Sequence, residues 1–382
     1  DFCPAHLSSS LFAPPLLSFI RILELSGMAQ EEDFSARCAD LLNASALATA
    51  LGIANHTGLL PAMVAEAGSF KAAKDWAAAA GVAERYVVEI FGALVSGKVV
   101  EMDEEGLFSL PPHRAGPLKS MGIYMEEMPL LHQCAFDRVC TAAKTGDGIA
   151  HTHYTPFHIW MGAQSAEKHH SQLLANFIPS IDGGKLEARL KQGGAQVIDV
   201  GCGEGVVVNL MAKAYPSCHF VGLDINQKDL DHATEVARKE GLTNVEFVCK
   251  DLTAMEEKGL GVLARRFDLV MAFDSIHDLT RPDVALRVCA GLVKEDGMLS
   301  MVDIKAESGI KNNRNDSMAP FLYTVSLMHC MPVALNEKGM GLGMLWGKKV
   351  AVDMLKEAGF KTVQVEEMEF DSFNYKYVAK IR

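Results

Sequence analysis

Val197, Ile198, Asp199 and Val200 run directly into Gly201-Cys202-Gly203-Glu204-Gly205, and few local patterns restrict a fold so tightly. The β-branched run has the character of a parallel strand covered on both faces. The alternating glycines permit a sharp turn and let bare peptide N–H groups approach a ligand. Asp199 places a carboxylate near the carboxyl end of the strand, where open α/β sheets bind their ligands. A dinucleotide fingerprint reads G-x-G-x-x-G, its third glycine packing helix on strand. Here the spacing is G-x-G-x-G and Val206 occupies that third position. The turn therefore need not cradle a pyrophosphate, and a nicotinamide dehydrogenase is disfavoured.

From Gln196 onward, strand and helix patterns alternate. Further strands are expected at Phe220–Leu223, Val245–Cys249, Asp268–Phe273, Gly297–Asp303, Thr362–Met368 and Asn374–Lys380. Helices are expected at Asp229–Lys239, with Leu230, Ala233, Val236 and Ala237 inward, at Arg281–Val293, and through Val350, Met354, Leu355 and Ala358. Seven strands with intervening helices imply an α/β fold, a doubly wound Rossmann-like sheet. The link Glu369–Phe373 is too short for a crossover, so the last strand must run antiparallel. Lys305–Leu345 is too long for an ordinary connection and is expected to cover the cleft.

Asp199 followed by the glycine run, Asp224 at the end of the second strand, Asp251-Leu252 after the third and an antiparallel final strand together resemble the class I S-adenosylmethionine-dependent methyltransferases. That resemblance implies S-adenosylmethionine as cofactor, held by Asp199, Gly201, Cys202, Gly203, Gly205, Asp224, Ile225, Asp251, Leu252, Phe273 and Asp274. Asp224 would accept the ribose hydroxyls, as the acidic residue of the nucleotide fold does. Asp251 would bond the adenine and Leu252 would pack against it. The resemblance extends over residues 28–382, to a mostly bacterial family that joins a winged-helix module to the methyltransferase domain. Glu84-Arg85-Tyr86-Val87, Phe273-Asp274-Ser275-Ile276-His277-Asp278, the run Leu322–Cys330, Gly341–Gly347 and Phe373–Tyr377 carry it. It names no acceptor. Methyl transfer to a small molecule with an O or N nucleophile is the activity implied. His277, with Asp278 beside it, is the candidate base, and Tyr154, Phe157, Tyr323, Met328 and His329 are candidate pocket residues. A cofactor binder without turnover is the alternative, and a winged-helix transcription regulator a further one.

The N-terminal part reads as helices followed by a hairpin. Leu41, Leu42, Ala46, Leu47, Ala50 and Leu51 recur at helical spacing, with Gly52 placed to end that helix. Helices are expected at Thr57–Ala67, Lys71–Ala80 and Ala83–Ser96, then strands Val99–Met102 and Leu107–Leu110 around the turn Asp103–Gly106. This is a winged-helix pattern. The helix before the wing carries Arg85 but also Glu84 and Glu89, and the chain's net charge is −12. Nucleic acid is therefore disfavoured, and a packing role in a homodimer is favoured.

Four segments are expected: 1–27, upstream or unstructured, with Met28 as the natural start; 28–115, the winged helix; 116–190, a helical bridge and lid; and 191–382, the cofactor domain. The nine cysteines are scattered without a C-x-x-C pair, which fits reduced thiols in the cytoplasm. No apolar run has the length of a membrane span. His151, His153, His158, His169 and His170 lack a carboxylate or thiolate at metal spacing, so no metal is expected.

Overall fold

The computed structural model describes residues 16–382; residues 1–15 lie outside the described residues, and with them that part of the segment 1–27. The chain divides after Pro129 into two compact units.

In the first unit, helices Leu16–His56, Leu59–Ala65, Ala73–Ala80 and Glu84–Ser96 precede a two-stranded antiparallel wing, β1 (Glu101–Met102) and β2 (Phe108–Ser109). Two expectations change. From Leu16 the segment expected to be unstructured is already helical, and it continues without a break into the first helix of the winged-helix module. Gly52 does not end that helix, which runs on to His56. Its role is close packing: a Cβ on Gly52 would sit 2.5 Å from the Met125 carbonyl oxygen. The wing turn forms as its residues dictate, with Leu107 N–H donating to Asp103 Oδ1 at 2.7 Å.

The unit's core gathers Leu59, Met63, Trp76, Val87, Phe91, Leu94, Val100 and Leu110. Trp76 is fully buried and its Nε1 donates to the Phe108 carbonyl at 2.9 Å, so one side chain ties a helix to the wing. Phe91 and Phe108 add a ring contact at 4.4 Å. Trp76→Ala is expected to cost about 3–5 kcal/mol and Trp76→Phe about 1 kcal/mol for the lost hydrogen bond. Urea denaturation followed by circular dichroism measures both.

The second unit is built on a seven-stranded sheet: β3 (Gln196–Val200), β4 (His219–Asp224), β5 (Val245–Cys249), β6 (Phe267–Phe273), β7 (Val293–Ile304), β8 (Thr362–Met368) and β9 (Asp371–Lys380). Their spatial order is β5-β4-β3-β6-β7-β9-β8. All pairs are parallel except those of β9, which runs antiparallel to both β7 and β8. The short link between β8 and β9 enforces this.

Alternation along β3 sends Ile198 and Val200 to one face and Val197 to the other. The first face packs Val221, Leu223, Val270, Leu299, Met301 and Tyr377 under helices Pro282–Leu292 and Gly347–Glu357. The second packs Phe220, Leu269, Met271, Val302 and Val378 under helix Val206–Ala214. Leu173, Phe177, Ile178, Ile181, Leu186 and Leu190 belong to that second core. The stretch 116–190 is therefore shared between the two units, because its apolar side chains from Leu173 onward complete the sheet's covering layer.

Candidate functional site

β3 hydrogen-bonds β4 on one side and β6 on the other, so the chain order reverses there and leaves a crevice at the carboxyl ends. Gly201, Gly203 and Gly205 all have positive φ, at 74°, 51° and 69°. The last two glycines serve different ends. A Cβ on Gly205 would lie 2.6 Å from the Phe247 ring and 2.7 Å from Ala233 Cβ, whereas one on Gly203 would meet nothing within 4 Å. Gly205 closes the helix onto the sheet, and Gly203 leaves open space beside its backbone.

Gly201 N–H and Cys202 N–H donate to the Leu223 carbonyl at 2.8 and 3.2 Å. Asp224 then joins the two strand ends: Oδ2 accepts from Gly203 N–H at 2.8 Å and Oδ1 from Asn226 N–H at 2.9 Å. A carboxylate has about four acceptor positions, so about two remain. Asp199 is buried, and its Oδ1 has no hydrogen-bond partner among the described residues. Burial, then the charge of Asp224, pushes its carboxyl pKa well above the usual carboxylate range. A buried polar atom without a partner is rare and calls for a donor. Burial raises the Cys202 thiol as well, with Asp199 and Asp224 adding to it.

Around this turn, Ile225 is 70% exposed at the end of β4. Asp251 Oδ1 accepts from Thr253 N–H and Oγ1 at 2.8 and 2.7 Å, which fixes the loop after β5. Leu252 is buried within the core. Phe273 packs its ring 5.0 Å from Phe177 and 4.9 Å from His169. Asp274, with φ 47°, receives the Asn374 amide on both oxygens at 2.9 and 2.8 Å. Its carboxyl reaches solvent but is walled by protein, and that desolvation raises it to about 6.

His277 is buried in the short turn after β6. Nδ1 lies 2.9 Å from Asp303 Oδ1 and Nε2 lies 3.3 Å from Asp278 Oδ1. The first contact is an ion pair rather than an aligned hydrogen bond. Burial alone would lower the imidazole, but Asp303 and Asp278 override it and hold it well above the usual histidine range. Asp303 Oδ1 is fixed in turn by Trp346 Nε1 at 3.0 Å and Ile304 N–H at 2.8 Å.

The insertion 305–345 carries helices Ala319–Met328 and Cys330–Leu335. Tyr154 and Phe157 are fully buried, and both ring centroids lie 4.9 Å from that of His329. Tyr154 Oη donates to the Met328 carbonyl at 2.8 Å. Four of the five pocket candidates thus cluster. Tyr323 does not join them: its hydroxyl meets Asn313 Nδ2 at 3.4 Å, and it packs by Ile304 and Leu322. His158 Nε2 and His329 Nε2 stand 2.9 Å apart. One must donate to the other, so the two are not both charged, and burial lowers them to about 3 and about 4.

Asp303, Trp346, Cys330 and Asn374 are not singled out by sequence. The strand-end rule that finds Asp199 and Asp224 would also find Asp303, near the end of β7. The other three reach the site only through tertiary packing.

Gly205→Ala is expected to destabilise the second unit by about 1–3 kcal/mol through overpacking, measured by thermal unfolding. His169 is held at about 4 by burial, with Lys168 and His170 lowering it and Asp371 opposing. Its native value lies below its unfolded one, so between about pH 6.5 and 4 the unfolded chain binds the extra proton and stability falls with falling pH. The slope from this group is at most about 1.4 kcal/mol per pH unit. His169→Phe should flatten the acid limb of a stability-against-pH curve.

The seven-stranded sheet with its antiparallel last strand, preceded in sequence by a winged helix, has the fold of a methyltransferase domain joined to a winged-helix module. Residues 191–359 match the family described as a methyltransferase domain, and residues 44–119 match the Rv2258c-like winged HTH domain. Among curated relatives, the ubiquinone biosynthesis O-methyltransferase of Coxiella burnetii is 27% identical over 140 residues, 37% of this chain and 52% of that protein. The (S)-tetrahydroprotoberberine N-methyltransferase of Eschscholzia californica is 26% identical over 112 residues, 29% of this chain and 30% of that protein. The chain thus spans about half or less of the length of these relatives. Among solved structures, the mitomycin 7-O-methyltransferase MmcR has a TM-score of 0.63 at 16% identity, covering 92% of this chain and 99% of that one. Human N-acetylserotonin methyltransferase, solved with S-adenosylmethionine, has a TM-score of 0.57 at 15% identity, covering 90% and 96%. At these identities the structural likeness concerns the fold.

Proposed function

We propose that the chain transfers the methyl group of S-adenosylmethionine to a small-molecule acceptor with an oxygen or nitrogen nucleophile. The observation that carries the reading is the buried, unpartnered Asp199 Oδ1 beside a glycine turn whose middle glycine faces open space. An amine donor would satisfy that oxygen, the spare acceptor positions of Asp224 suit a ribose diol, and the exposed Ile225 suits the face of an adenine ring. Asp251, Phe273 and Asp274 border the same crevice. The sulfonium supplies an already electrophilic methyl, so the protein's task is alignment and exclusion of water.

His277 takes the acceptor's proton in its neutral form when the nucleophile is a hydroxyl. Asp303 and Asp278, which hold the imidazole well above its usual range, favour the imidazolium so formed. Tyr154, Phe157, Met328 and His329, packed on one another, form the buried apolar and aromatic layer behind the acceptor, with the insertion 305–345 excluding solvent.

The winged-helix unit is read as a dimerisation module. Phe34, Leu41 and Leu42 are 67%, 52% and 73% exposed on the first helix, a surface that a second copy would cover. Arg85, on the helix that a DNA reader would use, pairs with Glu89 at 2.5 Å, which disfavours phosphate contact. No single helix among the described residues is long and apolar enough to cross a membrane. The scattered free thiols favour the reducing cytoplasm.

The test is incubation with methyl-labelled S-adenosylmethionine and fractionated small-molecule extract. Label is expected in one extractable product, and His277→Gln should lower its rate about 10²–10⁴-fold while leaving cofactor affinity unchanged. Cofactor binding with no labelled product in any fraction would favour the silent binder instead.

A further inference from the structure

Cys330 stands at the first turn of the helix Cys330–Leu335, far in sequence from His277 and Asp278, yet the three meet. One ligand atom from each lies within 4.8 Å of the other two, and the His277 Nε2–Asp278 Oδ1 separation is 3.3 Å. A tetrahedral zinc site, with bonds of about 2.0 Å to nitrogen or oxygen and about 2.3 Å to sulfur, spaces its ligand atoms by about 3.3–3.8 Å. Small side-chain adjustments would bring the three donors to that spacing.

Three further features favour a metal over a chance cluster. An imidazole, a carboxylate and a thiol make a donor set of borderline softness, suited to zinc and its neighbours rather than to magnesium or calcium. Nδ1 of His277 is turned toward Asp303, itself held by Trp346 and the Ile304 amide. Such a carboxylate behind a ligating histidine orients the ring and raises its basicity. Asp278 Oδ1 is buried and its polar neighbours are the other two members, His277 Nε2 at 3.3 Å and the Cys330 thiol, so it faces the cluster as a ready donor to a cation.

We propose that His277 Nε2, Asp278 Oδ1 and Cys330 Sγ bind one divalent cation of the zinc type and leave a fourth position open. Ionised Asp278 and Cys330 balance its two charges. Binding displaces the proton of the thiol, and that of Nε2 where the imidazole is charged, to solvent. His329 Nδ1, 3.5 Å from Cys330 Sγ, supports the thiolate from outside the shell. A cation there occupies the same lone pair with which His277 would take a proton, so metal loading and the base role exclude each other. That consequence rests on the base reading above; the site itself does not.

The test titrates Co²⁺ into the chelator-treated full-length chain and follows absorption. A band from thiolate-to-cobalt charge transfer and visible bands of four-coordinate cobalt should saturate at one ion per chain, and Zn²⁺ should abolish both. Cys330→Ser should remove the charge-transfer band, and Asp278→Asn should weaken binding at least tenfold. Cys140→Ser, at an exposed thiol, should change neither. Circular dichroism confirms that each variant is folded. Absence of a saturable band, or a band that survives Cys330→Ser, overturns the proposal. Failure of the base reading would show separately, as methyl transfer undiminished in His277→Gln.

Discussion

The reversal of strand order at β3 is the constraint on which the rest depends. Because β3 pairs with β4 on one side and β6 on the other, successive crossovers depart in opposite directions and no helix covers the carboxyl ends between them. Loops after β3, β4, β6 and β7 therefore converge on one crevice. The glycine turn, Asp224, the Phe273–Asp278 segment and Asp303 are neighbours for that reason alone, although they span more than a hundred positions.

Carboxylates accumulate at those strand ends. Asp199, Asp224, Asp274 and Asp303 lie at or near the ends of β3, β4, β6 and β7. Such crowding is costly in a poorly solvated cleft, and each group shows how it is offset. Asp224 accepts backbone N–H groups, Asp274 holds the Asn374 amide, and Asp303 holds Trp346 and faces His277. Asp199 and Asp303 each keep one oxygen with no such partner among the described residues, and that of Asp199 lies beside the glycine turn. A ligand carrying an ammonium group and a sulfonium completes this pattern better than an anionic one, which agrees with the spacing argument against a pyrophosphate.

Most of the second unit is legible in the sequence because its signals are local. Strand length, β-branched content and turn glycines locate all seven strands to within a few residues, and the short link expected at Glu369–Phe373, two residues long in the structure, fixes the final antiparallel pair. Asp199 and Asp224 are legible by the same local rule. The first helix is not: Gly52 reads as a helix end, and only the nearby Met125 carbonyl explains why glycine sits mid-helix. Nor are the members contributed by packing. Cys330 and Trp346 come to His277 through the insertion 305–345 and its edge, and Asn374 reaches Asp274 across 100 residues. Tyr323 looks equivalent to Met328 and His329 in sequence, yet one helix and its end present them in different directions.

The central claim is that the glycine turn and the two aspartates beside it hold S-adenosylmethionine. Isothermal titration of that cofactor into the full-length chain and into Asp224→Ala tests it most directly. Saturable binding at one molecule per chain is expected, lost in the variant while its circular dichroism is unchanged. Undiminished affinity in Asp224→Ala, or no binding to the parent chain, would contradict it.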